Sequence, residues 1–329
     1  MVEYFIENDH KEIRDEVMNT KIDIISGFLG AGKTTFLKKL LNEAYPGESV
    51  ALLENEFGEV AIDGDLLKDS NFVLKEISNG CICCTLQGNF ISAIHELQET
   101  HHPQRIVIEP TGLGRLSDIF RACNRAAENC PVVLNAAITV VDGTSALEYL
   151  DDAPEFYENQ IAQAGAVVVS MTQRVSKKEV AAIEERIRHL NANAPIFTRD
   201  WRELDAMEVL VLAETKGCAE DPKPTTTEKN PFRSLAFRVT RPWKERDLKE
   251  FFHRMIAGDF GKIYRGKGFF PAGKRMLKVD LVGRRVDVTD FPQKTRGRFV
   301  LIGKDMNAKA LSSFLHHGKI EQKESPNVP

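Results

Sequence analysis

The chain has 329 residues, a length that predicts one large and one smaller domain. It contains 42% hydrophobic and 28% charged residues with a formal net charge of -4, which gives no general attraction to nucleic acid or to anionic membrane surfaces. Apolar runs of about 18 residues are absent, and residues 1–20 lack the apolar centre of a secretory signal. We therefore expect a cytoplasmic protein that binds neither nucleic acid nor membrane.

Residues 1–20 predict a polar N-terminal extension, and beyond them short apolar runs alternate with helical stretches. This alternation predicts an α/β domain over residues 21–215, with a mostly parallel sheet flanked by helices on both faces. One of the helices begins at a capping-box pair, Ser176 and Glu179, which is followed by apolar residues at helical spacing. The runs that predict buried strands are 22–26, 49–53, 105–108, 136–141, 166–169 and 195–198.

A second unit follows a stretch rich in Pro, Thr and charged residues, which we interpret as a linker over residues 216–231. Residues 232–317 predict a smaller α+β domain. Its predicted strands are 234–239, 278–282 and 298–302, and its predicted helices lie near 247–255 and 307–315. Residues 318–329 lack the apolar residues needed to anchor them, so they predict a disordered tail.

The segment from Gly27 to Thr34 fits the phosphate-binding pattern G-x-x-x-x-G-K-[ST]. An apolar strand precedes it and an amphipathic helix follows it, which is the context that this pattern requires. Backbone N–H groups of such a loop surround phosphate oxygens, Lys33 reaches the terminal phosphates, and the Thr34 hydroxyl binds Mg²⁺. The predicted nucleotide-binding residues of this loop are Gly27, Gly30, Ala31, Gly32, Lys33, Thr34 and Thr35.

Such a site also needs a carboxylate at the end of a neighbouring strand, to orient the water shell of Mg²⁺. Glu109 follows the apolar run 105–108 and is our candidate. Gly112 completes the pattern E-x-x-G, in which a flexible backbone N–H could detect the γ-phosphate. We assign catalysis to Lys33, Thr34 and Glu109, with in-line attack by water on the terminal phosphate. Because the sequence assigns no arginine to the transferred phosphate, we expect slow intrinsic turnover.

Three cysteines, Cys81, Cys83 and Cys84, lie within four consecutive positions. Thiolates at this spacing predict one shared site for a soft metal such as zinc, cobalt or copper(I). A further ligand would come from elsewhere in the chain, and Glu54 and Glu59 are candidates because they follow the second predicted strand. The C-x-x-C spacing of Cys81 and Cys84 leaves a redox pair as the alternative, although the third adjacent thiol favours a metal.

Four motifs, in this order, resemble the CobW-like P-loop GTPases over most of the chain: GFLGAGKTT (27–35), ENEFGEVAID (54–63), NGCICC (79–84) and EPTG (109–112). The C-terminal stretch is similar to the second domain of that family at Arg241-Pro242, Arg265-Gly-Lys-Gly268-Phe269 and Phe299-Val-Leu-Ile-Gly303. The ordered combination that includes C-x-C-C is highly specific, whereas each C-terminal piece alone is a weak signal.

The resemblance implies a nucleotide-dependent metallochaperone or metalloenzyme-maturation factor. In such a protein the C-x-C-C motif binds zinc or cobalt, and GTP turnover gates transfer of the metal to a client metalloenzyme or apo-metalloprotein. By motif position, the resemblance implies these metal ligands: Glu54, Glu59, Cys81, Cys83 and Cys84. It implies that the nucleotide and Mg²⁺ are held by Lys33, Thr34 and Glu109.

One departure from the family concerns the base of the nucleotide. Where the family has Asn-Lys-x-Asp to bind guanine, this chain has Ser170-Met171-Thr172-Gln173. The amide of Gln173 offers one acceptor and one donor, so it cannot accept two hydrogen bonds from guanine as a carboxylate does, but it could pair with adenine. Met171 could lay its apolar stem against the base. We therefore keep Met171 and Gln173 as nucleotide-binding candidates and expect ATP use or relaxed base choice, unless other residues contact guanine.

Two other functions stay open at this point. The first is a nucleotide-dependent activator, a binding switch that docks on a metallo- or corrinoid enzyme through its C-terminal domain without transferring metal. The second, less favoured, is a thiol redox sensor regulated by the nucleotide. Retention of nucleotide-dependent client binding after the cysteines are changed to serine would identify the binding switch.

Overall fold

A parallel β-sheet forms the centre of the first part of the chain. The computed structural model describes residues 19–54, 72–76, 86–152, 154–216, 232–293 and 295–317. The strands of this part are β1 (Thr20–Gly27), β2 (Val50–Glu54), β3 (Phe72–Glu76), β4 (Arg105–Glu109), β5 (Val132–Asp142), β6 (Ala166–Ser170) and β7 (Ile196–Phe197). They are ordered β3-β2-β4-β1-β5-β6-β7, and each neighbouring pair is parallel. This confirms the parallel sheet expected from the sequence.

Helices cover both faces of this sheet, because successive residues of a strand point to opposite faces. The helices are α1 (Lys33–Glu43), α2 (Leu86–His101), α3 (Leu116–Ala127), α4 (Ala146–Asp152), α5 (Pro154–Ala162), α6 (Lys177–Leu190) and α7 (Ala206–Lys216). On one face α1 and α7 pack in the same buried cluster as Ile25, and on the other α2 and α3 pack with Ile24. The Glu179 backbone N–H donates to Ser176 Oγ at 3.2 Å, which confirms the capping box at the start of α6.

The second part of the chain is a five-stranded antiparallel sheet with two helices on one face. Its elements are β8 (Arg233–Arg238), α8 (Glu245–Ile256), β9 (Lys262–Ala272), β10 (Arg275–Val282), β11 (Arg285–Phe291), β12 (Arg298–Lys304) and α9 (Ala308–His317). The strand order is β11-β10-β9-β12-β8. α8 and α9 share an apolar core with the sheet, which includes Phe251, Phe270 and Phe314. None of the helices in the described ranges is both long and apolar enough to cross a bilayer.

Strands β3, β9 and β11 have no counterpart among the strands predicted from the sequence. β9 contains Gly266 and Gly268 next to charged residues, a composition that is depleted in strands. A Cβ atom on Gly268 would lie 2.2 Å from the carbonyl oxygen of Arg298, so the glycine allows the paired strands β9 and β12 to approach each other. In β11 Val286 and Val288 alternate with polar residues, but the alternation covers only two apolar positions and most residues of the strand are exposed.

An aromatic cluster joins the two parts. The ring of Phe28, which follows β1, lies 4.8 Å from Tyr149 of α4 and 5.9 Å from Tyr264 of β9. Phe232, just before β8, lies 5.9 Å from Phe28 and 5.3 Å from Tyr264. Burial raises the pKa of Tyr149 to about 12, so its hydroxyl stays neutral. The cluster places the antiparallel sheet next to the loop that starts at Gly27.

A buried ion pair lies inside the first part, away from that loop. Arg105 Nη1 donates to Asp23 Oδ2, and their side chains are 4% and 0% exposed. The Tyr45 hydroxyl donates to the same carboxylate oxygen at 2.9 Å, and Asn135 Nδ2 donates to Asp23 Oδ1 at 2.6 Å. Burial raises the pKa of the Asp23 carboxyl, and the charge of Arg105 opposes this shift.

Candidate nucleotide site

Three glycines give the loop between β1 and α1 its shape. Gly27, Gly30 and Gly32 have φ angles of 143°, 75° and 100°, in a region that residues with a Cβ atom rarely adopt. A Cβ atom on Gly27 would also lie 2.2 Å from the carbonyl oxygen of Val140 in β5. Gly32 is the N-cap of α1, so the loop ends with the free N–H groups of a helix N-terminus. The loop therefore combines glycine-specific torsion angles with a helix N-terminus, and phosphate binding by its residues stays a prediction.

The side chains of Lys33 and Thr34 both remain within this loop region. Lys33 is 9% exposed, and its Nζ donates to the carbonyl oxygen of Phe28 at 3.3 Å, so the ammonium lies over the loop. Thr34 Oγ1 donates to Glu109 Oε1 at 3.0 Å. The structure therefore brings together the three residues assigned to catalysis at the carboxyl ends of β1 and β4. The hydroxyl and carboxylate oxygens of Thr34 and Glu109 are ligand atoms that suit a hard cation such as Mg²⁺.

Two buried glutamates lie side by side at this edge of the sheet. Glu54 ends β2 and Glu109 ends β4, and the two are register partners with exposures of 7% and 9%. Glu76, at the end of β3, is the register partner of Glu54 on its other side. Segments 55–71 and 77–85 of the chain therefore both start from the edge that carries the phosphate loop.

The loop after β4 packs directly on the phosphate loop. A Cβ atom on Gly112 would lie 2.6 Å from the backbone nitrogen of Leu29, so only glycine permits this approach. Gln160 of α5 is 1% exposed, and its Nε2 donates to the carbonyl oxygens of Gly112 at 3.1 Å and of Gly114 at 2.8 Å. These two hydrogen bonds hold the loop after β4 in place. No sequence motif marks this role, because it depends on the packing of a helix that lies far along the chain.

The segment after β6 lies on the other side of the phosphate loop. Ser170 Oγ donates to the carbonyl oxygen of Ala31 at 2.7 Å, which ties the end of β6 to the loop. Met171 has a positive φ of 56° and lines the cavity above the loop together with Thr35. Gln173 lies in a short 3₁₀ helix (Thr172–Arg174), and its side chain is exposed. Of the two base-contact candidates, Met171 is the one that faces the cavity.

The antiparallel sheet lines the other wall of this cavity, which has a volume of about 280 Å³. A Cβ atom on Gly30 would lie 2.2 Å from Cγ1 of Val282, so β10 rests on the phosphate loop. Charged residues of β9, β10 and β11 line the same cavity: Arg265, Lys267, Asp280, Arg285 and Asp287. Arg285 Nη1 also reaches Met171 Sδ at 2.8 Å. No motif in the sequence marks these residues as parts of a site, because glycines interrupt the apolar residues of β9 and only two valines alternate in β11.

Four of the predicted metal ligands, Glu59, Cys81, Cys83 and Cys84, lie outside the described residues. Within the described ranges, no group of three or more His, Cys, Asp or Glu side chains is placed to hold a metal ion. Glu54 is the one predicted transition-metal ligand that the structure describes, and it lines the cavity beside Glu109. The metal site therefore stays a prediction.

Comparisons with known proteins identify relatives for both parts. Residues 21–198, more than half of the chain, match the family "CobW/HypB/UreG, nucleotide-binding domain", and residues 232–318 match "Cobalamin synthesis protein cobW C-terminal domain". The zinc chaperone CobW of Pseudomonas aeruginosa is 28% identical over 342 residues, which cover 89% of this chain and 90% of that protein.

Two further relatives align over smaller shares. The zinc chaperone YeiR of Escherichia coli is 36% identical over 165 residues, and this match covers half of each protein, 50% and 50%. The zinc-regulated GTPase metalloprotein activator 1 of Dictyostelium discoideum is 25% identical over 297 residues, which cover 75% of this chain and 62% of that protein.

Proposed function

Since the chain is a P-loop NTPase that belongs to the CobW/HypB/UreG family, we propose that it is a metallochaperone that couples nucleotide hydrolysis to the delivery of zinc or cobalt. The names of relatives support this assignment: two are zinc chaperones, and a third is a zinc-regulated GTPase that activates a metalloprotein. The client here is a metalloenzyme or apo-metalloprotein that receives the metal or is matured by it.

The nucleotide chemistry is assigned to residues that converge at one edge of the sheet. Lys33 and the N–H groups of the loop bind the phosphates and neutralise charge that develops on them. Thr34 and Glu109 would hold Mg²⁺, which would supply further positive charge at the terminal phosphates. The NTPase reaction thus needs only positioning and electrostatic stabilisation from this chain. We expect slow intrinsic turnover, which a client or partner could accelerate.

The metal is proposed to bind Cys81, Cys83 and Cys84, with Glu54 or Glu59 as a further ligand. Thiolates are soft ligands that suit zinc and cobalt, and a deprotonated thiol cluster would bind either metal tightly. The residues on either side of the cysteine segment support this site: β3 ends at Glu76, and α2 begins at Leu86. Glu76, which immediately precedes this segment, lies at the edge that carries the phosphate loop.

The observation that carries the proposal is the register of three strand ends. Glu54 at the end of β2 is the register partner of Glu76 in β3 on one side and of Glu109 in β4 on the other. Glu109 in turn accepts a hydrogen bond from Thr34 of the phosphate loop at 3.0 Å. Thr34 contacts Glu109 at the end of β4, and segment 55–71 follows the end of the adjacent strand, β2. The cysteine segment follows the end of β3, one strand further. This short distance allows nucleotide state and metal affinity to be coupled.

Metal binding by the reduced protein tests the proposal. Zn²⁺ or Co²⁺ would be titrated against a chromophoric chelator, with the wild type, a Cys81→Ser/Cys83→Ser/Cys84→Ser variant, and a Cys123→Ser/Cys130→Ser control. Cys123 and Cys130 are buried, and the control changes thiols outside the predicted ligand set. We expect tight 1:1 binding by wild type and control, and its loss in the triple variant. Equal affinity in all three proteins would contradict the metal site.

Nucleotide dependence is tested by repeating the titration with a slowly hydrolysed triphosphate analogue and with the diphosphate. We expect the metal affinity to differ between the two nucleotides, since a chaperone must release its cargo in one of its states. The alternative binding switch would instead show nucleotide-dependent binding to the client that survives the triple substitution.

Base choice is a separate part of the proposal. Gln173 replaces the carboxylate that reads guanine, and its side chain is exposed rather than directed into the cavity. We therefore expect ATP and GTP to bind with comparable affinity. Competition of both against one fluorescent nucleotide measures this, and a clear preference for guanine would contradict relaxed base choice.

A further inference from the structure

The antiparallel sheet has one apolar and one charged face, and the charged face is turned toward the phosphate loop. Residues that lie directly opposite each other on neighbouring antiparallel strands point to the same face. The row nearest the loop consists of Arg285, Val282, Arg265 and Ile302, which are successive register partners from β11 to β12. The next row consists of Asp287, Asp280, Lys267 and Val300. All eight residues line the cavity.

Val282 fixes the position of the first row against the loop. Its Cγ1 lies 2.2 Å from the position of a Cβ atom on Gly30, so valine and loop backbone are in direct contact. Arg265 and Arg285 are its cross-strand partners on either side, about 5 Å away between Cα atoms. The two guanidinium groups therefore flank the point at which the sheet touches the phosphate loop.

Gly112, the proposed γ-phosphate sensor, contacts the neighbouring residue of the loop. It packs against Leu29, the residue that precedes Gly30. A phosphate detected by Gly112 would thus lie close to the residue that Val282 contacts. Arg265 and Arg285, the cross-strand partners of Val282, lie next to this point, and Arg285 also reaches Met171 on the other side of the loop.

The charges of the cavity favour such an assignment. Among the described residues that line it from the first part, the cation is Lys33, and the acids are Glu54 and Glu109. A triphosphate is a polyanion, and guanidinium groups bind phosphate oxygens with two parallel hydrogen bonds. The arginines of the opposite sheet would therefore add to the positive charge of Lys33, the loop N–H groups and a bound Mg²⁺.

We propose that Arg265 and Arg285 bind the terminal phosphates of the nucleotide, and that the C-terminal sheet thereby distinguishes a triphosphate from a diphosphate. The inference rests on the nucleotide-binding part of the proposed function and adds the residues that distinguish a bound triphosphate from a bound diphosphate. Both arginines are held in place by carboxylates of their own sheet. Arg265 pairs with Asp280 at 2.7 Å and Arg285 with Asp287 at 3.5 Å.

These ion pairs determine how substitutions act. Phosphate oxygens would compete with Asp280 and Asp287 for the same guanidinium groups, so the carboxylates oppose triphosphate binding. Removal of an arginine weakens the binding of the triphosphate, whereas neutralisation of Asp280 strengthens it. A variant that merely damages the fold cannot produce the second effect.

Equilibrium titration with fluorescent, slowly hydrolysed GTP and with fluorescent GDP tests the proposal. Arg265→Ala and Arg285→Ala are each expected to weaken triphosphate binding by about tenfold to a hundredfold, the range for a hydrogen bond to a charged group. The loss of diphosphate affinity is expected to be much smaller. Asp280→Asn is expected to tighten triphosphate binding by about two- to fivefold, as for release of a partly exposed ion pair.

Arg275→Ala is the matched control, because Arg275 begins the strand that Val282 ends. Arg275 is 61% exposed and pairs with Asp290 at 3.0 Å. Its substitution therefore removes the same charge as the other two variants, but at the opposite end of β10. We expect wild-type affinities for both nucleotides from this control. Wild-type triphosphate affinity in the Arg265→Ala/Arg285→Ala variant, or equal losses for both nucleotides, would overturn the inference.

The two proposals fail in different ways. If the arginine variants bind nucleotide as the wild type does while the cysteine variant loses metal, the C-terminal sheet does not read the nucleotide, and the metallochaperone proposal stands. If the arginine variants lose triphosphate affinity while the cysteine variant keeps its metal, the inference holds and the metal site is wrong.

Discussion

The contact between Val282 and Gly30 predicts a steric effect that can be isolated from backbone strain. Gly30 and Gly47 have nearly equal φ angles, 75° and 80°. A Cβ atom on Gly30 would meet Val282 at 2.2 Å, whereas one on Gly47 would have no neighbour within 4 Å. Gly47→Ala therefore reports the left-handed strain alone, and Gly30→Ala reports the same strain plus the contact with the second sheet.

The magnitudes follow from these distances. The strain of an alanine in this conformation costs roughly 1–2 kcal/mol in either position. Cγ1 and Cγ2 of Val282 would lie 2.2 and 2.8 Å from the new Cβ on Gly30, so the sheet must shift by roughly 1 Å to restore normal contact. Overpacking of this kind costs about 1–3 kcal/mol. We expect Gly30→Ala to lower the free energy of unfolding by about 2–5 kcal/mol, and Gly47→Ala by about 1–2 kcal/mol.

Val282→Ala completes a double-mutant cycle. It removes both Cγ atoms and leaves Val282 Cβ at 3.1 Å from the new atom, a distance that small shifts can relieve. The coupling between Gly30→Ala and Val282→Ala should equal the clash, about 1–3 kcal/mol, and the coupling with Gly47→Ala should be close to zero. Urea unfolding of the nucleotide-free proteins, followed by Trp201 fluorescence in a Trp243→Phe background, measures each value. Equal effects of the two glycine substitutions, or no coupling to Val282, would refute the seating of the second sheet on the loop.

Two further predictions concern the first sheet. Gly112→Ala would place a Cβ atom 2.6 Å from the backbone nitrogen of Leu29, so we expect at least a tenfold slower NTP hydrolysis with little change in diphosphate affinity, measured by phosphate release and titration. Arg105→Met leaves the Asp23 charge buried without its partner and should cost about 3–5 kcal/mol of stability at neutral pH, measured by urea unfolding. Burial raises the pKa of the Asp23 carboxyl, and the charge of Arg105 opposes this shift, so the pKa is higher still in the variant. The folded variant is stabilised by protonation of Asp23 at low pH, and this stabilisation is lost as the pH rises through the pKa of the folded state. The deficit of Arg105→Met should therefore be smaller at pH 5 than at pH 8, and a deficit that grows on acidification would contradict this assignment.

The phosphate-loop half of the candidate site could be predicted from the sequence because its residues lie in short contiguous motifs. Gly27 to Thr34 carry backbone requirements that only one loop shape satisfies, and the apolar run before Glu109 placed that carboxylate at a strand end. The observed bond between Thr34 and Glu109 at 3.0 Å confirms that these two residues meet. Parallel topology alone brings the ends of such strands to one edge.

The second half of the cavity could not be predicted, because its residues are selected by cross-strand register. Arg265 and Arg285 are 20 positions apart in the chain and become neighbours only through Val282 between them. Glycines interrupt the apolar residues of β9, and the alternation in β11 is limited to Val286 and Val288. Gln160 was missed for a related reason, since its role depends on the packing of α5 under the loop. Register and packing of this kind are properties of the assembled fold rather than of any local pattern.

In the strand order, β2 and β3, which precede the segments of the predicted metal ligands, lie on one side of β1. β6 lies on the other side, and Met171, which follows it, contacts Arg285 of the second sheet. A terminal phosphate bound at the loop would affect both β4 and the second sheet, because Thr34 donates a hydrogen bond to Glu109 and Gly30 contacts Val282. Thermodynamic linkage then requires reciprocity: the factor by which the triphosphate changes metal affinity must equal the factor by which the metal changes triphosphate affinity. Metal titrations with and without nucleotide, and nucleotide titrations with and without metal, must give the same factor in the wild type. In Arg265→Ala/Arg285→Ala the same factor should persist if Glu109 alone couples the sites, and it should shrink toward one if the second sheet transmits the signal.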